Sequence, residues 1–111
     1  MLELARIEKI IARGDRFAQR VLTPAEYQQY QQYHKRRKAE YLGGRFSLKE
    51  SFAKAMGTGI GRFVGLQDVE TLDDALGKPV MTSSRYHGHI WVSLSHSEDY
   101  VVTQVILEDE N

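Results

Sequence analysis

The chain contains no cysteine among its 111 residues. Disulfides, thiol nucleophiles and sulfur-based zinc centres are therefore excluded, and a cytoplasmic location is expected. Proline occurs only at Pro24 and Pro79 and tryptophan only at Trp91, while glycine, with nine residues, is well represented. No run of about 18 apolar residues is present, so no membrane-spanning helix is expected. Met1-Leu2-Glu3 lacks the basic and apolar regions of a secretory leader. The length suits a single domain, residues 1–111.

A net charge is missing too, but only in the sum. Residues 1–62 carry thirteen Lys/Arg against six Asp/Glu (+7), and residues 63–111 carry two against nine (−7). The first part is expected to present a basic surface to an acidic partner, such as nucleic acid, a phosphorylated small molecule or an acidic protein. The competing reading is mutual neutralisation of the two parts within the fold or an oligomer.

Leu4, Ile7, Ile10 and Ile11 recur at helical spacing and predict a helix ending near Gly14. Asp15 can cap a short turn through Phe17, Val21 and Leu22. Thr23-Pro24-Ala25-Glu26 is a strong helix start, with Thr at the cap, Pro at the first helical position and Glu three residues after Thr. A further helix is predicted over Lys38 to Met56, with Gly57 at its C-terminal cap. Gly43-Gly44 inside it costs about 1 kcal/mol per residue relative to Ala, a cost that close approach of another backbone or a ligand would offset. Strands are predicted over Val64–Leu72, Pro79–Ser83, His89–Ser95 and Tyr100–Leu107, the last apolar on both faces and hence central and buried. Trp91 and Phe63 are expected in the core, and the tail Glu108 to Asn111 is expected to fray. The fold class is α+β: N-terminal helices packed on one face of a C-terminal antiparallel sheet.

The chemically suggestive stretch is Gly44 to Ala55, read as an amphipathic helix. Phe46, Glu50, Ala53 and Lys54 share one side of it, and Arg45 and Lys49 form a flank. One acid inside a cationic frame suits a divalent cation held against phosphates. A solvated Glu50–Lys54 pair is the plainer reading. Gly57-Thr58-Gly59-Ile60-Gly61 follows directly and could turn backbone N–H groups toward an anion.

Together these words resemble the holo-acyl-carrier-protein synthases, the small bacterial phosphopantetheinyl transferases. The resemblance rests on Arg45-Phe46-Ser47-Leu48-Lys49-Glu50-Ser51-Phe52-Ala53-Lys54-Ala55, Gly57-Thr58-Gly59-Ile60-Gly61, Gly77-Lys78-Pro79 and Val92-Ser93-Leu94-Ser95-His96, in that order. It implies transfer of 4′-phosphopantetheine from coenzyme A to a serine of acyl carrier protein, with Mg²⁺ and with release of adenosine 3′,5′-bisphosphate. By resemblance, Glu50 is a metal ligand and Lys54 contacts the pyrophosphate. Arg45, Gly57, Gly59, Ile60, Gly61, Lys78, Pro79, Ser95 and His96 would line the coenzyme A site. Arg6, Arg13, Arg16 and Arg20 would meet the acidic carrier protein. A homotrimer with sites between neighbouring chains is also implied.

The sequence departs from the family pattern at its start. A strand of the form Gly-Ile-Gly-x-Asp-Ile is expected there, its Asp being the second metal ligand, and Met1-Leu2-Glu3 instead joins almost directly onto the first helix. A start codon placed late, a truncation that weakens Mg²⁺ binding and transfer, and a non-catalytic carrier-binding scaffold are the competing readings. A nucleic-acid module, from His34 to Lys38 beside Tyr27, Tyr30 and Tyr33, is disfavoured by the acidic second part. His87-Gly88-His89 lacks a third metal ligand and reads as an exposed turn.

Overall fold

The computed structural model describes residues 1–109 and comprises five strands and four α-helices. They run β1 (Leu2–Glu3), α1 (Leu4–Ala12), α2 (Arg16–Val21), α3 (Pro24–Gln31), α4 (Lys35–Ala55), β2 (Val69–Asp73), β3 (Pro79–Ser83), β4 (His89–His96) and β5 (Tyr100–Glu108). Strands β1, β5 and β4 form one antiparallel sheet in that order, and β2 and β3 form a separate antiparallel hairpin. The single sheet expected from the sequence is thus two. The N-terminus also contributes a short strand: Leu2 pairs with Val101 and Glu3 with Tyr100, and Glu3 leads directly into α1 at Leu4, as expected from the sequence.

The start of α3 forms as its sequence dictates. The Thr23 N–H donates to Glu26 Oε1 at 2.8 Å and the Glu26 N–H donates to Thr23 Oγ1 at 3.3 Å, with Pro24 at the first helical position. Helix α4 begins at Lys35, three residues earlier than predicted, and Lys35 itself is left-handed at φ 52°. Its basic first turn opposes the helix dipole, and Glu40, one turn on, meets Arg36 at 3.5 Å and Arg37 at 3.7 Å. Gly57, at φ 83°, closes the helix by donating to the Lys54 carbonyl at 2.9 Å.

Helix α4 is the spine of the molecule rather than an amphipathic surface helix. Its first half packs with Ile7, Val21, Leu22 and Tyr30 in a helical core. Its second half places Leu48, Phe52 and Ala53 against Val64, Val69, Met81 and Val105. The two interior glycines permit this contact. A Cβ at Gly44 would lie 2.7 Å from Leu94 Cδ1, and one at Gly43 would lie 3.4 Å from side-chain atoms of both Ile7 and Leu2. They accommodate α1 and β4, not a ligand.

Other expectations are also corrected. The segment before Val69 is a 3-10 turn, Leu66–Asp68, because the Gly65 N–H is captured by Asp68 Oδ2 at 2.8 Å. Strand β5 is central but buries only one face. Val101 and Val105 point inward, whereas Val102 and Ile106 are about half exposed, as is Trp91 on β4 opposite Ile106. Phe63 is 68% exposed, so neither Trp91 nor Phe63 is core. The tail does not fray at once: β5 continues through Glu108, and Tyr86 donates to Asp109 at 2.7 Å. Residues 110–111 lie outside the described residues.

The tyrosines of the disfavoured nucleic-acid reading pack internally. Tyr30 is buried against Tyr27 and Tyr41, with Lys38 Nζ 4.7 Å from its ring centre. Arg37 lies over Tyr33, so both components of the nucleic-acid reading are largely engaged within the fold. Burial pushes the Tyr30 hydroxyl up to about 12 and raises Tyr41 as well. A raised folded value means that the unfolded chain loses its proton first. Stability from these hydroxyls is full below about pH 10 and is lost between about pH 10 and 12. Absorbance titration at 295 nm should show this late phase coinciding with unfolding; ordinary titration of all tyrosines near pH 10 would contradict it.

Candidate active site

Glu50 and Lys54 sit on consecutive turns of α4 and are both exposed, on a helix that is otherwise mostly buried. Neither side chain carries a hydrogen bond or an ion pair among the described residues, so the plain Glu50–Lys54 pair does not form. This leaves an acceptor and a cation together and uncommitted.

The cationic flank behaves differently. Lys49 is wholly buried and donates to Glu26 Oε1 at 2.6 Å, to the Val21 carbonyl at 2.7 Å and to the Leu66 carbonyl at 2.8 Å. Glu26 in turn accepts from the Thr23 and Thr71 N–H groups, each at 2.8 Å. Burial pushes the Lys49 ammonium below its usual range, and Glu26 acts in the opposite direction. Lys49 is an internal tie joining α4 to α2, α3 and the 3-10 turn, and through Glu26 to β2. Sequence spacing placed it beside Arg45 but gave no sign of its partner 23 residues away.

Arg45 is also nearly buried, at 4% exposure. Its Nε donates to the Thr71 carbonyl and its Nη2 to Asp73 Oδ1, both at 2.8 Å, and its guanidinium lies 4.2 Å from the centre of the Tyr41 ring. One edge of Arg45 helps line a cavity of about 230 Å³ shared with Tyr33, Arg37, Glu40, Asp73 and His96. Gly77 and Pro79 close another side. His96 Nδ1 lies 3.3 Å from Glu40 Oε2. The structure thus brings Arg45, Pro79 and His96 together around one cavity. Lys78 and Ser95, both exposed, do not line it. Arg37, Glu40 and Asp73 are members of this cavity that the sequence motifs did not indicate.

The glycine loop is less open than expected. The N–H groups of Thr58 and Gly59 both donate to the Ala53 carbonyl, and those of Gly57 and Gly61 donate to Lys54 and Val64. Among the described residues, Ile60 carries the one backbone donor of the five without an acceptor, and its side chain is exposed.

Arg6, Arg13, Arg16 and Arg20 are all exposed. The last three border a depression with Ile10 and Phe17 at the corner between α1 and α2, giving a cationic rim around an apolar floor. No group of three or more His, Asp or Glu side chains able to hold a metal occurs among the described residues. His87 and His89 form no such centre; His89 stacks on Trp91 at 4.3 Å. No helix is long and apolar enough to cross a membrane among the described residues.

Residues 2–105 match the model of the 4′-phosphopantetheinyl transferase superfamily. The holo-[acyl-carrier-protein] synthase of Lactobacillus johnsonii is 58% identical over 110 residues, covering 99% of this chain and 92% of that protein. A crystal structure of a Bacillus anthracis holo-(acyl-carrier-protein) synthase in complex with CoA (3′,5′-ADP) superposes with a TM-score of 0.90 at 40% identity, covering 98% of this chain and 91% of that one. The Helicobacter pylori holo-[acyl-carrier-protein] synthase in complex with coenzyme A is similar at TM-score 0.84 and 26% identity, over 96% of this chain and 95% of that one.

Proposed function

Because the chain belongs to the 4′-phosphopantetheinyl transferase superfamily, we propose that it transfers 4′-phosphopantetheine from coenzyme A to a serine hydroxyl of acyl carrier protein. The observation that carries this reading is the unpartnered Glu50 and Lys54 on the surface of a buried helix. In the reaction the serine oxygen bonds to the β-phosphorus as the pyrophosphate link breaks, and adenosine 3′,5′-bisphosphate departs. Such chemistry is largely positioning and charge stabilisation.

Lys54 would hold the pyrophosphate as a compact positive charge. The donor set suits Mg²⁺ that takes one protein carboxylate, Glu50, and its remaining ligands from water and phosphate, rather than a cage built by protein alone. When bound there, Mg²⁺ supplies charge neutralisation at the pyrophosphate. The cavity around Arg45, Pro79 and His96 would take the nucleotide, with Arg37 as an added cation; Lys78, Ser95 and the Gly57, Gly59, Ile60 and Gly61 loop would act at its margins. Arg6, Arg13, Arg16 and Arg20 would orient the acidic carrier protein, an association that weakens with salt.

Five residues along an α-helix turn through about 140° beyond a full circle. Arg45 and Glu50 therefore face different sides of α4, and one protomer does not aim both at one point. We infer that neighbouring chains complete each site in a homotrimer. The half-exposed Trp91, Val102 and Ile106 on the outer sheet face offer apolar surface for that contact. Sedimentation equilibrium should give three chains per particle, and a monomer at working concentration would overturn this assembly. For the reaction itself, adenosine 3′,5′-bisphosphate should appear in step with carrier conversion and only with a divalent cation present. Release without carrier, or none at all, would count against it.

A further inference from the structure

We propose that Asp73 is an internal counterion that occupies the place of a substrate phosphate on Arg45 and lowers the affinity of the cavity for that phosphate. The proposal rests on reading the cavity as the nucleotide site and adds to it a residue that sets binding strength.

The starting point is charge. Arg37, Arg45 and His96 line the cavity, but so do Glu40 and Asp73. A site for a polyanion gains attraction and speed from uncompensated positive charge, and here Glu40 and Asp73 already offset the two arginines, Arg37 and Arg45. Glu40 is fully engaged, within 4.0 Å of Arg36, Arg37 and His96. Asp73 has one cation, Arg45, at 2.8 Å.

Asp73 is not needed to hold Arg45 in place. The guanidinium is already fixed by the Thr71 carbonyl at 2.8 Å and by the Tyr41 ring at 4.2 Å. The two partners also differ in freedom: the Arg45 side chain is 5% exposed, and that of Asp73 is 26% exposed. The Asp73 backbone is tethered by Gln29, which donates to its carbonyl at 3.2 Å and accepts from its N–H at 3.3 Å. Rotation of the carboxylate alone can therefore uncover the Arg45 edge without moving the strand. An arriving phosphate would exchange with Asp73 on a cation that stays where it is. The pair with Asp73 keeps Arg45 from being a bare buried charge, and phosphate binding has to break that pair.

Calorimetric titration of the full chain with adenosine 3′,5′-bisphosphate tests this, with adenosine as the uncharged probe. Asp73→Asn keeps the shape and the acceptor oxygen but removes the charge. It should tighten the bisphosphate about five- to tenfold and leave adenosine unchanged. Unchanged or weaker bisphosphate binding, or equal tightening of adenosine, would overturn the proposal. Arg37→Ala separates the two levels of the argument. If it weakens the bisphosphate while Asp73→Asn fails to tighten it, only the role of Asp73 falls. If Arg37→Ala binds as tightly as the unaltered chain, the cavity is not the nucleotide site, and the proposal falls with that reading.

Discussion

Replacing Glu50 by Gln should lower the turnover of carrier protein by about two to three orders of magnitude, or roughly 3–4 kcal/mol of transition-state stabilisation. The substitution keeps the size and polarity of the side chain and removes only its charge. Glu50 is exposed and has no partner among the described residues, so folding does not depend on that charge. Stability should therefore shift by no more than about 0.5 kcal/mol. Carrier binding, proposed to rest on Arg6, Arg13, Arg16 and Arg20, should be retained. The effect should fall on kcat rather than on the KM for carrier, since Glu50 is proposed as the Mg²⁺ ligand beside the reacting pyrophosphate and not as a docking residue. Turnover within about threefold of the unaltered chain would remove Glu50 from the chemistry and leave the exposed acid without a role. This contrast also separates an enzyme from a carrier-binding scaffold, because a scaffold has no turnover to lose.

The neighbouring residue should behave in the opposite way. Lys49→Met should cost about 3–5 kcal/mol of folding stability, the range for breaking a buried ion pair from one side. Its ammonium serves three acceptors, Val21, Glu26 and Leu66, and both it and the Glu26 side chain are wholly inaccessible to solvent. Without Lys49, the Glu26 carboxylate becomes an unpaired charge in the interior and two backbone carbonyls lose their donor. Domains of this size are stable by about 5–15 kcal/mol, so the loss is a large share of the whole. Urea unfolding should register it as a lower midpoint. The double variant with Glu26→Gln should cost less than the sum of the single changes, because the two residues form one unit. A loss below about 1 kcal/mol for Lys49→Met would contradict the tie. Adjacent residues of one motif thus have separable effects, one on rate and one on stability.

The motif could be read in the sequence, but the division of labour within it could not. Helical spacing set Arg45 and Lys49 on a flank of α4, but spacing on one helix says nothing about what packs against it. The partners of Lys49 come from α2, α3 and the 3-10 turn, and those of Arg45 come from β2. The start of α3 was legible because its signal is local: Thr23, Pro24 and Glu26 act within one turn. The strand expected before Val69 failed for the same kind of reason, since the hydrogen bond from Gly65 to Asp68 reshapes the chain locally. The exposed faces of Trp91, Val102 and Ile106 were misread as core because an apolar run along a strand does not say which of its faces another element covers. The Gly57 to Gly61 loop was recognised, but its backbone donors are mostly used to close α4.

The most direct test of the account is intact-mass spectrometry of apo-acyl carrier protein incubated with this chain, coenzyme A and Mg²⁺. The account predicts that the carrier gains the mass of one 4′-phosphopantetheine, that a carrier whose acceptor serine is replaced by alanine gains nothing, and that Glu50→Gln slows the gain by the factor given above. A carrier that binds this chain in a salt-sensitive way and yet keeps its apo mass at every enzyme concentration would contradict it.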